Sequence, residues 1–295
     1  MTTNEPGPSP RRPRLDDVET ALAELHRPAP PDLPSAVLRA LGLADGYDRL
    51  PTPIGTVFAA WNGRGVSWIA RAATPEAFEA EARSALGRPL APAPLPTDLR
   101  RRLERRLAGD RRARVPVDLR GRTPFERAVL TKALEIPPGE VRPYAWIAAE
   151  IGRPKAVRAV GTALARNPVP LVVPCHRVVR ADGHLGAYSL GGPETKRRLL
   201  AAEGADPDGL EALARAGIRF VGSRTTRIFC LPSCRTARRI APRHRIPLRS
   251  SAEAAAMGLR PCRICRPRPL DGDAALGAHA ALPPPWPGAA RMPGP

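Results

Sequence analysis

The sequence has few cysteines, few acidic residues and no long apolar run. Its 295 residues include five cysteines, four in two close pairs and one apart, a number and spacing that argue against a disulfide-stapled scaffold. We find no secretory leader, and the longest apolar stretches fall far short of a membrane span. We therefore expect a cytoplasmic protein in a reducing compartment, without a membrane partner.

The scarcity of acidic residues leaves a strongly basic chain. There are 28 Asp and Glu residues against 47 Lys and Arg, a formal net charge of +19, and most of the excess is arginine. Such a surface attracts polyanions and binds a phosphate backbone with salt-dependent affinity. A GC-rich genome, which favours Arg, Ala and Pro codons, is the alternative explanation for the charge.

The length allows two domains and a small third. We expect residues 1–46 to be a partly disordered extension with amphipathic segments at Leu15–His26 and Leu33–Leu43, and residues 271–295 to be a disordered tail. Between them, local patterns predict a hairpin around Asn62-Gly63, two helices and a short strand. Their predicted bounds are Thr56–Trp61 with Gly65–Ala70, Thr74 to Leu86, Leu99–Leu107, and Val115–Leu119.

The middle of the chain predicts a helix-turn-helix. Thr123-Pro124-Phe125-Glu126 is a capping box that starts a helix running to Ile136, and two short helices follow at Tyr144–Ile151 and Lys155–Ala165. The last helix has basic residues for phosphate contacts and small residues that permit close approach to a groove. These are Lys155, Arg158 and Arg166, and Ala159, Gly161 and Ala163. Two ordinary packed helices are the alternative.

Cys175 and His176 are adjacent and follow an apolar run, Pro170–Val173, that predicts a short buried strand. A thiol beside an imidazole can be held as a thiolate, the nucleophilic form of cysteine. A small buried cysteine beside a surface histidine is the alternative. A turn-rich stretch, Arg180–Tyr188, and a helix at Pro193–Glu203 come next.

The remaining four cysteines predict a metal site in a separate unit, residues 208–270. Cys230 and Cys234 form one pair and Cys262 and Cys265 the other, with 27 residues between the pairs. Two short-spaced pairs in a reducing compartment can close a tetrahedral thiolate site on Zn²⁺. No organic cofactor is implied.

Several motifs occur in an order that resembles the O6-alkylguanine-DNA alkyltransferase (methylated-DNA–protein-cysteine methyltransferase) family. The resemblance covers residues 121–205 and, more weakly, 47–120. It implies an α+β protein with an RNase H-like N-terminal domain at 47–120 and a helical, winged-helix-like catalytic DNA-binding domain at 121–205. The motifs are Ile136 to Val141, Tyr144, Arg158 to Ala163, Asn167 to Pro170, Pro174 to Val179, and Leu199 to Gly204.

The resemblance also implies roles for individual residues. Cys175 accepts the alkyl group, His176 takes the thiol proton through a water, and Glu203 orients the imidazole. Tyr144 serves the leaving guanine at N3, and Asn167 braces the turn. The residues that contact DNA by this resemblance are Arg158, which fills the place of the flipped base, with Ala159, Gly161 and Ser189. Two departures, Pro143 before Tyr144 and a loop one residue longer at 188–192, bear on Ser189 and the pocket size.

Residues 218–268 resemble the zinc domain of the Ada adaptive-response protein. That resemblance places Cys230 where the family accepts a methyl group from a DNA methylphosphotriester. A structural or DNA-holding zinc is the alternative. The sequence shows no helix before this core, the zinc unit follows the alkyltransferase, and no second helix-turn-helix regulator region is present.

We therefore expect irreversible, single-turnover DNA repair. Cys175 would take an alkyl group from O6 of guanine, or from O4 of thymine, and the partner would be double-stranded DNA containing alkylated guanine. We expect a monomer that associates with the nucleoid. The alternatives are a lesion sensor that does not react, against which Cys175 argues, and a zinc-dependent DNA-binding regulator. A cysteine hydrolase fits poorly, because adjacent Cys and His residues without an oxyanion loop do not compose a protease site.

Overall fold

The computed structural model describes residues 33–110 and 112–268, together with residues 15, 16 and 19. Most of the predicted segment Leu15–His26, and the predicted disordered ends, lie outside the described residues. The described chain is a mixed α+β structure. Helix α1 spans Leu33–Ala40. None of the described helices has the length and hydrophobicity needed to cross a bilayer.

The elements of the N-terminal region are β1 (Asp45–Leu50), β2 (Val57–Asn62), β3 (Gly65–Ala70), α2 (Pro75–Leu86), β4 (Leu90–Pro92) and α3 (Thr97–Leu107). The strands form a four-stranded sheet in the order β3-β2-β1-β4. The predicted hairpin, β2 with β3, is present, and β1 pairs antiparallel with β2 and parallel with β4. Thr74 caps α2 and Gly87, at φ 67°, ends it.

Strand β1 begins inside the stretch that the sequence assigns to an N-terminal extension. Its first residue, Asp45, is fully buried, which the sequence pattern does not indicate. The carboxylate accepts two hydrogen bonds from Arg88, at 2.6 and 2.8 Å, and a further one from Ser67. A buried charge held by a bidentate arginine is satisfied in place, so a polar residue can start a central strand.

The predicted strand Val115–Leu119 is wrong. Only an isolated bridge joins Val117 to Val66 in this stretch. Pro116 lacks an N–H for a ladder, and the carboxylate of Asp118 is turned toward Arg120 at 2.6 Å and Arg88 at 3.2 Å. The segment therefore lies beside β3 without extending the sheet as a regular strand.

Three helices form the centre of the middle region: α4 (Pro124–Ala133), α5 (Tyr144–Glu150) and α6 (Val157–Ala165). The predicted capping box is present: Thr123 Oγ1 accepts from the Glu126 N–H at 3.2 Å, and Glu126 accepts from the Thr123 N–H at 2.9 Å. Helix α4 stops three residues before Ile136, because residues 134–136 tighten into turns ahead of Pro137. The region continues with β5 (Arg142–Pro143), a 3₁₀ turn (Cys175–Arg177), β6 (Val178–Val179) and α7 (Gly192–Ala202).

The elements of the C-terminal region are α8 (Pro207–Arg215), β7 (Phe220–Ser223), β8 (Ile228–Cys230), α9 (Arg235–Arg238), a 3₁₀ turn (Pro242–His244), β9 (Arg245–Leu248), α10 (Ser251–Ala256) and β10 (Arg260–Pro261). The region has its own sheet, in the order β10-β8-β7-β9, and its own apolar core around Phe220 and Leu248. Helix α8 precedes that core, contrary to the sequence expectation. Asp206 caps α8 by accepting from the Gly209 N–H at 2.8 Å, and the glycine in its first turn hides the helical pattern in the sequence.

Candidate active site and metal centre

The residues after α6 form a tight turn that presents Cys175. The Asn167 side chain donates to the Val173 carbonyl at 2.9 Å and to Cys175 Sγ at 3.1 Å, and accepts from the Val169 N–H at 3.1 Å. Leu171 adopts a left-handed conformation, with φ at 73°. The predicted strand Pro170–Val173 is therefore wrong, because the asparagine folds this apolar run back on itself instead of leaving it extended.

Cys175 begins the 3₁₀ turn and is only 6% exposed. Burial raises the pKa of its thiol, and the Asn167 hydrogen bond and the Lys196 charge act in the opposite direction. A raised pKa means that the resting group is a neutral thiol at neutral pH. Reaction at this sulfur therefore requires a base that removes the proton.

His176 and Glu203 provide a base and its partner. His176 Nε2 lies 2.8 Å from Glu203 Oε1, and burial lowers the pKa of the imidazole. The carboxylate can only accept, so Nε2 carries the proton and Nδ1 is left as the acceptor. Nδ1 is buried and has no hydrogen-bond partner among the described residues. This nitrogen is therefore free to take a proton.

Arg177 completes the group and was not singled out from the sequence. Its guanidinium donates to both oxygens of Glu203, at 2.8 and 2.7 Å, and to the Ile136 carbonyl at 2.6 Å. Burial would raise the pKa of Glu203, but the bonds from His176 and Arg177 outweigh it and lower that pKa to about 2. Glu203 is therefore a fixed anion behind the imidazole. The only sequence signal for Arg177 was its position beside the Cys-His pair.

Lys196 is a second residue that the sequence did not single out for the site. It is fully buried, and its Nζ donates to the carbonyls of Val178 at 2.6 Å and Leu185 at 2.5 Å. Burial lowers the pKa of this ammonium to about 8. It ties the strand after Cys175 to the loop that follows.

Tyr144 lies at the start of α5 and is half-buried. Burial and the neighbouring Cys175 both raise the pKa of its phenol, so the hydroxyl stays protonated and can donate. Gly161 on α6 faces this ring, since a Cβ built there would lie 4.0 Å from Tyr144 Cε1. The structure thus brings Tyr144, Gly161 and Cys175 to one side of the site.

The exposed face of α6 carries two of the residues predicted to contact DNA, Arg158 and Ala159. Ala163 was predicted on the same small face, but it is 3% exposed and packs in the core, so that part of the prediction is wrong. Ser189 is exposed and lines a cavity of about 430 Å³ with Asn167. Cys175 does not line this cavity, so the structure does not place Ser189 and the thiol in one pocket.

The four C-terminal cysteines form a compact sulfur cluster. Their Sγ atoms all lie within 4.8 Å of one another, and none of the four residues is more than 4% exposed. Tetrahedral Zn²⁺ with Zn–S bonds near 2.3 Å requires sulfurs about 3.8 Å apart. The cluster therefore fits this ion, and a cation also offsets the mutual repulsion of four thiolates. The ligands are Cys230, Cys234, Cys262 and Cys265.

Both centres lie in regions of the chain that match known families. Residues 124–205 match the family described as "6-O-methylguanine DNA methyltransferase, DNA binding domain", and residues 213–268 match "Metal binding domain of Ada". The chain carries an alkyltransferase domain, residues 124–205, and an Ada zinc domain, residues 213–268. The second match and the sulfur cluster together make the C-terminal domain a Zn²⁺-binding one.

Curated relatives match the alkyltransferase domain. The methylated-DNA–protein-cysteine methyltransferase of Rattus norvegicus is 49% identical over 100 residues, which is 34% of this chain and 46% of the relative. That of Mus musculus is 54% identical over 81 residues, which is 27% of this chain and 38% of the relative. This chain thus spans less than half the length of these two relatives.

Among solved structures, "Mycobacterium tuberculosis OGT in complex with DNA" is 35% identical. It covers 54% of this chain and 92% of its own, with a TM-score of 0.45.

Proposed function

We propose that the chain repairs DNA by transferring an alkyl group from O6 of guanine, or from O4 of thymine, to Cys175, once per molecule. The observation that carries the proposal is the buried group at the turn. Asn167 holds Cys175 at 3.1 Å, and Glu203 holds His176 at 2.8 Å with Nδ1 left to accept. A nucleophile, a base and an orienting anion in this order are typical of an activated thiol.

The proposed reaction balances without an external reactant. The Cys175 thiol proton passes to His176 Nδ1 through a water, and the sulfur attacks the alkyl carbon. A C–S bond forms as the bond between that carbon and O6 breaks, which leaves a guanine anion. The anion gains the displaced proton, and Tyr144 donates a hydrogen bond to N3 while the charge develops. A thioether has no facile route back, so Cys175 is consumed.

Glu203 and Arg177 act on the imidazole of His176, the general base, and not on the substrate. The anion of Glu203 stabilises the imidazolium that forms, and Arg177 keeps the carboxylate in position with two hydrogen bonds. Buried His176 resists protonation at rest because burial lowers its pKa. The imidazole is therefore neutral, and available as a base, at neutral pH.

We propose that α5 and α6 form a winged-helix-like DNA-binding unit. The exposed Arg158 and Ala159 lie on α6, which would enter the minor groove. A base inside a duplex must be flipped out to reach the buried sulfur, and Arg158 would fill its place. The order β3-β2-β1-β4, with only β4 parallel to its neighbour, supports an RNase H-like N-terminal domain.

The test is to incubate the full chain with duplex DNA containing O6-methylguanine and to locate the added methyl by peptide mass. We expect one methyl on Cys175 and none on that peptide in Cys175→Ala. A catalytic turnover of many duplexes, or no transfer, would contradict the proposal. Binding of the modified duplex without transfer would favour the lesion sensor instead.

For the zinc domain we propose a structural and DNA-holding role. Between residues 213 and 268 the chain has fourteen arginines and one acidic residue, Glu253. Such a surface suits a phosphate backbone. The acting unit would be a monomer on double-stranded DNA, since every proposed reacting group belongs to one chain, and it would work on the nucleoid in the cytoplasm.

Methyl acceptance at Cys230 is the second candidate for this domain. The family match favours it, but Cys230 is fully buried, so its sulfur would have to be uncovered first. Reaction with DNA carrying methylphosphotriesters, followed by peptide mass, decides between them. A methyl on Cys230 would establish acceptance, and an unmodified Cys230 would leave the structural role.

A further inference from the structure

One short segment, Glu140 to Trp146, lies between the candidate active site and the zinc domain. On one edge, β5 (Arg142–Pro143) pairs in parallel with β6 (Val178–Val179), the strand that directly follows the Cys175–Arg177 turn. The segment also carries Tyr144, the first residue of α5. The position of this segment therefore determines where two things lie: the strand that follows the Cys175–Arg177 turn, and the phenol of Tyr144.

The other edge of this segment is held by residues that flank a zinc ligand. Ser233 Oγ accepts from the Val141 N–H at 2.8 Å and donates to the Val141 carbonyl at 3.2 Å. The Arg235 N–H donates to Glu140 Oε1 at 3.2 Å. Ser233 and Arg235 are the two sequence neighbours of Cys234. Residues beside the first cysteine pair thus hold the start of the segment.

The second cysteine pair binds its end. Trp146 Nε1 donates to the carbonyl of Cys265 at 2.9 Å, and the indole is only 4% exposed. The guanidinium groups of Arg142 and Arg266 lie 5.7 and 5.6 Å from the ring centroid. Arg266 also pairs with Glu150, at the other end of α5, at 2.8 Å. Residues in or beside both cysteine pairs therefore form hydrogen bonds with the same segment.

Displacing the zinc loops while the two domains stay packed would leave buried polar groups without partners. Glu140 and Arg142 are 1% and 2% exposed and form an ion pair at 2.5 Å, and Glu140 needs the Arg235 N–H for its second oxygen. The Val141 N–H would lose Ser233. A buried donor or acceptor that loses its partner destabilises the structure. The arrangement of the zinc loops and the position of the segment are therefore energetically linked.

We propose that zinc binding positions the active site. With zinc bound, the Cys230–Cys234 and Cys262–Cys265 loops hold residues 140–146 in place, and this segment fixes Tyr144 and the strand after Cys175. Trp146 and Ser233 are then positioning residues for alkyl transfer. The inference rests on the proposed function for its activity readout, but its structural readout is independent of that function.

The first test compares the zinc-loaded full chain with the same chain after chelation. Hydrogen exchange is followed in peptides covering 137–150, which belong to the alkyltransferase domain. The transfer rate is measured with free O6-methylguanine base, which has no phosphates for the zinc domain to bind. Without zinc we expect faster exchange in 137–150 and transfer at least about fivefold slower, the lower end of usual coupling between sites.

A matched pair of serines separates positioning from general damage to the zinc domain. Ser233 and Ser250 are both 6% exposed, but Ser250 caps α10 inside the zinc domain, accepting from the Glu253 N–H at 3.0 Å. With one zinc retained per chain, Ser233→Ala should speed exchange in 137–150 and slow transfer, and Trp146→Phe should do the same. Ser250→Ala should change neither.

The inference would be overturned if Ser233→Ala and Trp146→Phe both showed wild-type exchange and transfer. It would also be overturned if exchange in 137–150 stayed unchanged after zinc removal. Failure of the proposed function gives a different result. In that case the zinc-loaded wild type transfers no alkyl group to Cys175, while the exchange measurements still report whether zinc orders the segment.

Discussion

Arg177 makes a bidentate ion pair with Glu203 in the candidate active site, and its replacement tests how that group is held. Arg177→Met would leave the largely buried Glu203 without its bidentate partner and free the Ile136 carbonyl. Breaking one side of a buried pair costs about 3–5 kcal/mol. We expect a loss of that size in urea unfolding.

Arg197→Met is the matched control for this change. Arg197 pairs with Asp208, whose side chain is 86% exposed, and exposed pairs contribute only about 0–1 kcal/mol. Equal losses in the two variants would show that Arg177 and Glu203 do not form the buried pair described here.

Glu203 makes stability depend on pH in a definite direction. Its pKa falls from 4.5 to about 2 on folding, so the anion stabilises the native state above pH 4.5 by on the order of 3 kcal/mol. This contribution is lost as the pH falls from 4.5 toward 2. Glu203→Gln should therefore be less stable than wild type at pH 7, with a difference that shrinks at pH 4 and pH 3. Urea unfolding of both proteins at each pH measures it, and a difference independent of pH would contradict the account.

Helix α6 supplies the proposed contact with DNA, and a single charge on its exposed face tests it. Ala159→Glu would set a carboxylate against a phosphate backbone. We expect duplex affinity to fall by at least about tenfold, because like charges at an interface are strongly unfavourable. Transfer from free O6-methylguanine base should not change. Ala80→Glu, an exposed position on α2, is the control and should leave duplex binding intact. A fall in the free-base rate with Ala159→Glu would place α6 in the reaction itself.

Elements that depend on local signals could be predicted from the sequence. The capping box at Thr123, the Thr74 cap and the hairpin at Asn62-Gly63 are determined by neighbouring residues, and the structure has them. The two strands predicted at Val115–Leu119 and Pro170–Val173 failed for a different reason. Apolar runs indicate burial but not extension, and in the second the side chain of Asn167, three residues before the run, bends the chain.

Site residues that belong to recognisable motifs could be predicted from the sequence. Site residues that are defined only by packing could not. Cys175, His176 and Glu203 came from a recognisable order of motifs, and the structure brings His176 and Glu203 together. Arg177 and Lys196 did not stand out, because a chain with 47 basic residues gives no reason to single out two. Burial sets them apart from most of these residues, and burial of a charge is decided by partners that are not neighbours in the chain, such as Ile136 and Leu185.

The chain as a whole joins its two chemical centres through buried contacts. The connection between the alkyltransferase domain and the zinc domain includes the Trp146–Cys265 hydrogen bond and the paired bonds of Ser233 with Val141. Two domains that acted separately would need none of these. Sequence reasoning treated the zinc unit as separate because contacts between residues about a hundred positions apart leave no local pattern.

In the proposed reaction, Cys175 is an acceptor that each molecule uses once. This can be tested by following methyl transfer from a tenfold excess of O6-methylguanine duplex and counting methyl groups per chain at the plateau. We expect a plateau of one methyl per chain, located on Cys175, with no further loss of O6-methylguanine from the DNA. Continued demethylation beyond one equivalent, or a plateau with Cys175 unmodified, would contradict it.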